Sequence, residues 1–201
     1  MNHIKLFLLC FTFFLVTGTY LNAQNCSGVI ADDRKINGVH RLQTEVQTLV
    51  VRGNYSYSLE LMSGAKGVIA KVYSKSGVEF NQGDEIIFMD ANRTRRSYRF
   101  INMGELKREG ATPVHINTLQ MDLAAVKWFA TNPINTIYIK NNISNQMRKF
   151  TVNASRQTEF QRLATCFNQN LDAESLKDVV LEGNRFAPGR ALSSTGASSE
   201  K

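Results

Sequence analysis

Residues 55 to 61 alternate without a break: Tyr55, Tyr57, Leu59 and Leu61 are separated by Ser56, Ser58 and Glu60. Successive side chains of an extended strand point to opposite faces, so this run commits one face to a core and the other to water. A helix would scatter the same side chains around its circumference. Further runs of strand length follow. Residues 68–74 come after Gly64 and Gly67, residues 78–80 after the turn Lys75-Ser76-Gly77, and residues 85–89 after the break Gln82-Gly83-Asp84. Asp90-Ala91-Asn92 then turns the chain into residues 95–101, where Tyr98 and Phe100 alternate with Ser97 and Arg99. Short strands joined by brief turns predict an antiparallel meander.

The period changes at residue 118. Thr118 is an acceptable N-cap, and Leu119, Leu123, Val126 and Ala130 recur at helical spacing until Asn132-Pro133 stops the run. Met121, Ala125, Trp128 and Phe129 widen its apolar stripe, which predicts a helix buried on more than one side and an enclosed Trp128. Residues 134–140 and 147–152 predict a second hairpin across Asn141-Asn142. After Ser155 another helix carries Phe160, Leu163, Ala164 and Phe167 on one face, and a third, shorter one is expected around Leu176, Val179 and Val180. Strands first and helices later predict an α+β fold, an antiparallel β meander with two to three helices of the C-terminal half packed on the sheet.

The start of the chain has a different purpose. Lys5 precedes an unbroken apolar run of 11 residues, 6–16, too short for the roughly 20 that a spanning helix needs. Thr17-Gly18-Thr19 breaks it, and Ala23 offers a small residue at a cleavage point before Gln24. Residues 1–23 therefore read as a signal peptide, residues 24–182 as a single α+β domain, and the Gly-, Ser- and Ala-rich residues 183–201 as a disordered tail. No transmembrane span is expected after cleavage, and the protein is expected to be secreted or periplasmic. The chain is basic, with a net charge of +7 that becomes +6 when Lys5 is removed. Cleavage also removes Cys10. It leaves Cys26 and Cys166 as an even pair in an oxidising compartment, where they are expected to form a disulfide tying the N-terminus to the closing helix.

A strand, a helix with Leu spacing, an Ile-rich hairpin and a closing helix with a late cysteine, over residues 114–167, resemble small exported bacterial proteins of unknown function. The leader ending in Asn22-Ala23-Gln24 is similar to theirs as well. The resemblance implies no active site.

Catalytic signatures are mostly absent from the sequence. Two histidines, His40 and His115, remain after cleavage, and no CxxC, HExxH or HxH spacing occurs, so no metal site is expected. No GxGxxG, GxxxxGK[ST] or GxSxG motif occurs, and no cofactor is expected. Ser63-Gly64-Ala65-Lys66 matches SxxK but lies among glycines between two strands, where it reads as a turn. Asp32-Asp33 in an early loop and Asp84-Glu85 at a strand entry are adjacent carboxylates, and surface solvation is the expected state of both. His115, between Val114 and Ile116, reads as an exposed strand histidine. The Asn-x-Ser/Thr triplets starting at Asn25, Asn54, Asn92, Asn142 and Asn153 would matter only in a host that glycosylates.

Arg93, Arg95, Arg96 and Arg99 stand out. Four guanidinium groups fall within seven residues with no acid among them. Without Lys5 and the tail residues Arg185, Arg190, Lys201 and Glu200, the remaining core carries +4, equal to this cluster alone. Strand geometry would put Arg93, Arg95 and Arg99 on one face, spaced to meet an anionic polymer, with Tyr98 and Phe100 on the other. The competing reading is the solvated polar face of an edge strand, which deters aggregation. The sequence thus points to an exported, non-catalytic binding or structural protein of the cell envelope or extracellular space, its partner an anionic polysaccharide or the envelope surface. The alternative is a small secreted hydrolase whose site is assembled only by folding.

Overall fold

The structure, a computed structural model, describes residues 26–65, 67–172 and 174. The expected signal peptide, the third helix around Leu176 and the tail 183–201 lie outside the described residues, as does Lys66. In chain order the strands are β1 (Ile30–Ile36), β2 (Val39–Thr44), β3 (Gln47–Arg52), β4 (Tyr55–Gly64), β5 (Gly67–Lys75), β6 (Glu85–Asp90), β7 (Arg95–Arg99), β8 (Glu105–Glu109) and β9 (Thr112–Met121). Helix α1 (Leu123–Thr131), strands β10 (Ile134–Lys140) and β11 (Met147–Thr151) and helix α2 (Ala154–Asn170) complete the fold.

The expected α+β meander is overturned. Strands hold 52% of the described residues and helices 18%, and the strands form two antiparallel sheets with two helices beside them. One sheet has seven strands in the order β1-β2-β4-β5-β9-β8, with β3 also paired to β4. The other has four, in the order β11-β10-β6-β7. The chain crosses between sheets after β5, returns after β7 and crosses again through α1. Local alternation marks strands but carries no record of which strand each one will pair with, and the meander expected from sequential neighbours is not the pairing that folds.

The pairing of β4 with β5 follows the expected hairpin. It runs without a shift from Ser56 opposite Lys75 to Gly64 opposite Gly67. Gly67 closes the turn at φ 84°, a conformation that disfavours side chains with a Cβ. Tyr57, Leu59 and Leu61 are buried, as the alternation requires. Three strands before β4 show no apolar alternation in the sequence: β1 is an edge strand with both faces partly wet, β2 alternates but Leu42 is the one apolar residue among its buried His40, Leu42 and Thr44, and β3 buries the adjacent Leu49 and Val50 at a register shift. Asp32 and Asp33 accordingly lie on β1, not in a loop. Strand β8 shows no such alternation either, and all five of its residues are exposed. Residues 78–80, expected as a strand, join no sheet.

Thr118 does not cap a helix. Residues 118–121 extend β9, which pairs with β5 from Val114 opposite Lys75 to Met121 opposite Val68. Leu119 is fully buried opposite Ala70. The sheet hydrogen bonds and that burial outweigh a helical spacing that Leu119 shared by coincidence. Asp122 caps α1 instead, its Oδ1 accepting from the Ala125 N–H at 2.5 Å. Asn132 ends α1 with both its backbone N–H and its side-chain amide donating to the Trp128 carbonyl, each at 2.9 Å, and Pro133 follows.

One hydrophobic core joins the elements. Phe88 packs edge-on to Phe129 of α1 at 5.0 Å between centroids, and Phe129 packs on Phe160 of α2 at 5.3 Å. Nearby, Tyr57 meets Phe150 at 4.7 Å and joins the two sheets directly. Trp128 is 9% exposed, as expected. Its supposed helical neighbour Met121 lies on β9 instead. Cys26 and Cys166 form a disulfide with their Cα atoms 5.5 Å apart, joining residues separated by 140 positions.

Candidate anion-binding sheet face

The arginine cluster divides between three environments. Arg93 precedes β7 in the turn after Asp90, at φ 65°, and takes no part in the strand. Its turn is held by the Asp90 carboxylate, which accepts from the Thr94 N–H at 2.8 Å. Arg96 shares the helix-facing side of the sheet with Tyr98, its guanidinium 5.4 Å from the centroid of the Trp128 ring. Arg95 and Arg99 point to the outer, solvent side. The expectation that Arg93, Arg95 and Arg99 share one face therefore holds for two of the three, because the left-handed residue ending the turn breaks the strand period.

Strand β7 is an edge of the four-stranded sheet, and the register shows what surrounds Arg95 and Arg99. Arg95 stands opposite Met89, which stands opposite Thr136 and in turn Thr151. The next outward row is Ser97, Ile87, Tyr138 and Lys149, and the third is Arg99, Glu85, Lys140 and Met147. Four cations, Arg95, Arg99, Lys140 and Lys149, thus frame a half-buried Tyr138, with Glu85 the single acid in the three rows. Arg95 reaches across the sheet so that its guanidinium lies 5.7 Å from the Tyr138 ring centroid. Glu85 accepts a hydrogen bond from the Ser97 hydroxyl beside it. From the strand rise and spacing, Arg95 and Arg99 are ~13 Å apart and Arg99 and Lys140 ~10 Å apart.

On the reverse of this sheet the aromatic groups are structural. Tyr98 packs on Phe88 and Phe129, and Phe100 stacks on Phe80 at 4.8 Å. Burial pushes the Tyr98 hydroxyl up to about 12 against the opposing effect of the nearby Arg96 cation. Tyr98 and Phe100 are therefore unavailable to stack on an external ligand. Tyr138 has that position, and its strand alternation with Ile137 and Ile139 was the signal that could have found it.

The other sequence candidates fall into structural roles. Ser63 of the SxxK match donates to the His40 carbonyl and accepts from the Leu42 N–H, both at 2.9 Å, which fastens β2 to β4. Asp32 pairs with Arg34 at 2.8 Å, while Asp33 receives the Nε2–H of the buried His40 at 2.9 Å. The His40 Nδ1 accepts from the Asp172 N–H at 3.0 Å, an arrangement that calls for the Nε2–H tautomer. Asp84 is buried, against the expected surface solvation, and accepts from the backbone N–H groups of Asn81 and Asn142 at 3.0 and 2.8 Å. It lines a polar groove of about 370 Å³ together with Glu79, Asn141 and Arg148. His115 is half-buried on β9. Among the described residues no group of three His, Cys, Asp or Glu side chains converges as a metal site, and no helix is long and apolar enough to cross a membrane.

A further buried carboxylate is Glu60, on the side of β4 that the alternation assigned to water. Glu60 of β4 is 2% exposed, accepting from the Tyr73 hydroxyl at 2.5 Å and the Gln43 amide at 2.9 Å, with the Lys71 ammonium 3.6 Å away. Burial first, and then the bond to Glu60, pushes the Tyr73 hydroxyl far above the ordinary tyrosine value. The cluster satisfies itself and ties β2, β4 and β5 together.

No family model matches the chain, and no curated protein or solved structure matches it either.

Proposed function

We propose that this is an exported, non-catalytic binding protein that holds an anionic polymer, such as an acidic polysaccharide of the envelope or extracellular space, against the outer face of its four-stranded sheet. The observation that carries this reading is the framing of Tyr138 by Arg95, Arg99, Lys140 and Lys149 on one exposed surface. Guanidinium groups present fixed forks to carboxylate or sulfate groups, while lysines act as mobile point charges. A flat surface with charges ~10 to 13 Å apart suits a repeating chain better than a single small anion, which would need its donors convergent. The half-buried ring gives an apolar platform between the charges.

Binding of this kind depends on counterion release, and each lost contact lowers the slope of log affinity against log salt by about 0.7 to 0.9. Replacing Arg95, Arg99, Lys140 and Lys149 together with Ser should lower the slope by about 3 on that scale, and elution from heparin should move to much lower salt. Arg52→Ser, at the end of β3 in the other sheet, should leave elution close to that of the parent. A folded quadruple variant that elutes with the parent would remove this reading.

A further inference from the structure

We propose that the protein forms a two-fold dimer in which β8 adds edge to edge to the β8 of a second copy, joining the two seven-stranded sheets into one. Strand β8 ends its sheet, and its five residues are exposed. Pro113 stands opposite Arg108 and has no N–H, so that pair is of the non-hydrogen-bonded kind. Because antiparallel pairs alternate, the backbone N–H and C=O groups of Leu106 and Arg108 turn away from β9 and toward the open edge.

Apolar groups are displayed at the same place. Ile101, Met103 and Leu106 are 56%, 81% and 55% exposed, although they lie within six residues of one another. The segment that carries them is held in place. The Asn117 amide donates to the carbonyls of Phe80 and Asn102, both at 3.0 Å, and the Asn102 amide donates to the Thr118 hydroxyl at 3.0 Å. Gln82 fixes the Ile101 carbonyl at 3.1 Å. Gly104 passes so near the Phe80 carbonyl that a Cβ there would sit 2.3 Å from the oxygen. The interior is thus occupied by hydrogen bonds, and the apolar side chains have only the outside to face. A fixed edge with solvent-facing apolar groups is suited to pairing.

The sequence of β8, Glu-Leu-Lys-Arg-Glu, selects a second copy as the partner. A two-fold axis through Leu106 sets Leu106 against its own counterpart and Glu105 against Lys107 of the other copy, twice by symmetry. Glu105 and Lys107 already attract one another within a chain, at 3.4 Å. In the dimer the four charges alternate in sign around the axis. An axis through Lys107 would oppose Lys107 to itself and Glu105 to Glu109, and one through Arg108 would oppose Arg108 to itself. Only the Leu106 register avoids like charges in directly opposed pairs, which destabilise a sheet.

Sedimentation equilibrium of the purified protein should show a reversible monomer–dimer equilibrium. Lys107→Glu replaces two attractive cross-strand pairs with two repulsive ones and should raise the dissociation constant by about tenfold or more. Leu106→Lys should do the same by placing like charges on the axis. The double exchange Glu105→Lys with Lys107→Glu restores opposite charges in the same register and should recover most of the dimer. Thermal melts identify any variant that is unfolded, and the exposed Lys107 site keeps the test available if Leu106→Lys is not stable. A protein that is monomeric at its highest soluble concentration overturns the proposal. So does a dimer unchanged by Lys107→Glu, or one that the double exchange fails to restore.

Discussion

The Arg95 guanidinium lies 5.7 Å from the centroid of the Tyr138 ring, reached across the intervening strand β6. The pair joins a cation on the edge of the four-stranded sheet to an aromatic ring at its centre, and it orients both on the outer face. Exposed contacts of this type stabilise by about 0.5 to 1 kcal/mol, enough to bias the position of a long side chain without rigidifying it.

If the face binds as proposed, the ring matters and its hydroxyl does not. Tyr138→Phe should therefore keep the retention of the parent on heparin, whereas Tyr138→Ser should elute earlier at an unchanged melting temperature to within a few degrees. Equal elution of all three proteins would show that the ring takes no part.

Trp128 is the one tryptophan of the chain and reports directly on the helix–sheet contact. Enclosed by Phe129 at 5.2 Å and covered by the Arg96 guanidinium, it should emit at the short wavelengths of a buried indole. Trp128→Ala should lose about 3 to 5 kcal/mol in urea unfolding, in line with large-to-small core changes. A loss of no more than about 0.5 kcal/mol, the scale of surface substitutions, would be inconsistent with the packing described.

The Cys26–Cys166 bond closes a loop spanning almost the whole described chain. The chain-entropy account gives up to about 5 kcal/mol for a loop of this length. Cys26→Ser should lower the urea midpoint strongly, and reductant should lower the midpoint of the parent to the same degree while leaving the variant unaffected. Two titratable thiols in the unreduced, denatured parent would contradict the bond.

Alkaline pH should expose a further signature. Tyr57, Tyr73 and Tyr98 are all raised above the ordinary tyrosine value of 10.0, mainly by burial, and Tyr98 reaches about 12. The native state therefore keeps protons that the unfolded state releases. Stability from these groups is complete below pH 10 and is lost as pH rises toward 12 and beyond. A titration followed by phenolate absorbance should show Tyr57, Tyr73 and Tyr98 ionising together with unfolding. Ionisation of these three near pH 10, with the fold intact, would contradict the burial.

Sequence by itself determined the strand from Tyr55 to Leu61, the hairpin of β10 and β11, the buried stripe of Phe160, Leu163, Ala164 and Phe167, and the pairing of the two cysteines. These are decided by side-chain period over a few residues, or by elimination among very few candidates. Tertiary structure alone decided the rest. It made residues 118–121 a strand, because β5 offered a complete ladder of hydrogen bonds and Ala70 a place for Leu119. It separated Arg93 and Arg96 from Arg95 and Arg99, because a turn conformation and a helix contact lie beyond the reach of strand alternation. It also brought Lys140 and Lys149, some forty to fifty positions away in the chain, to the same surface as the arginines. Register between strands distant in sequence is set by which faces can be buried together, and that depends on the whole core at once rather than on any one segment.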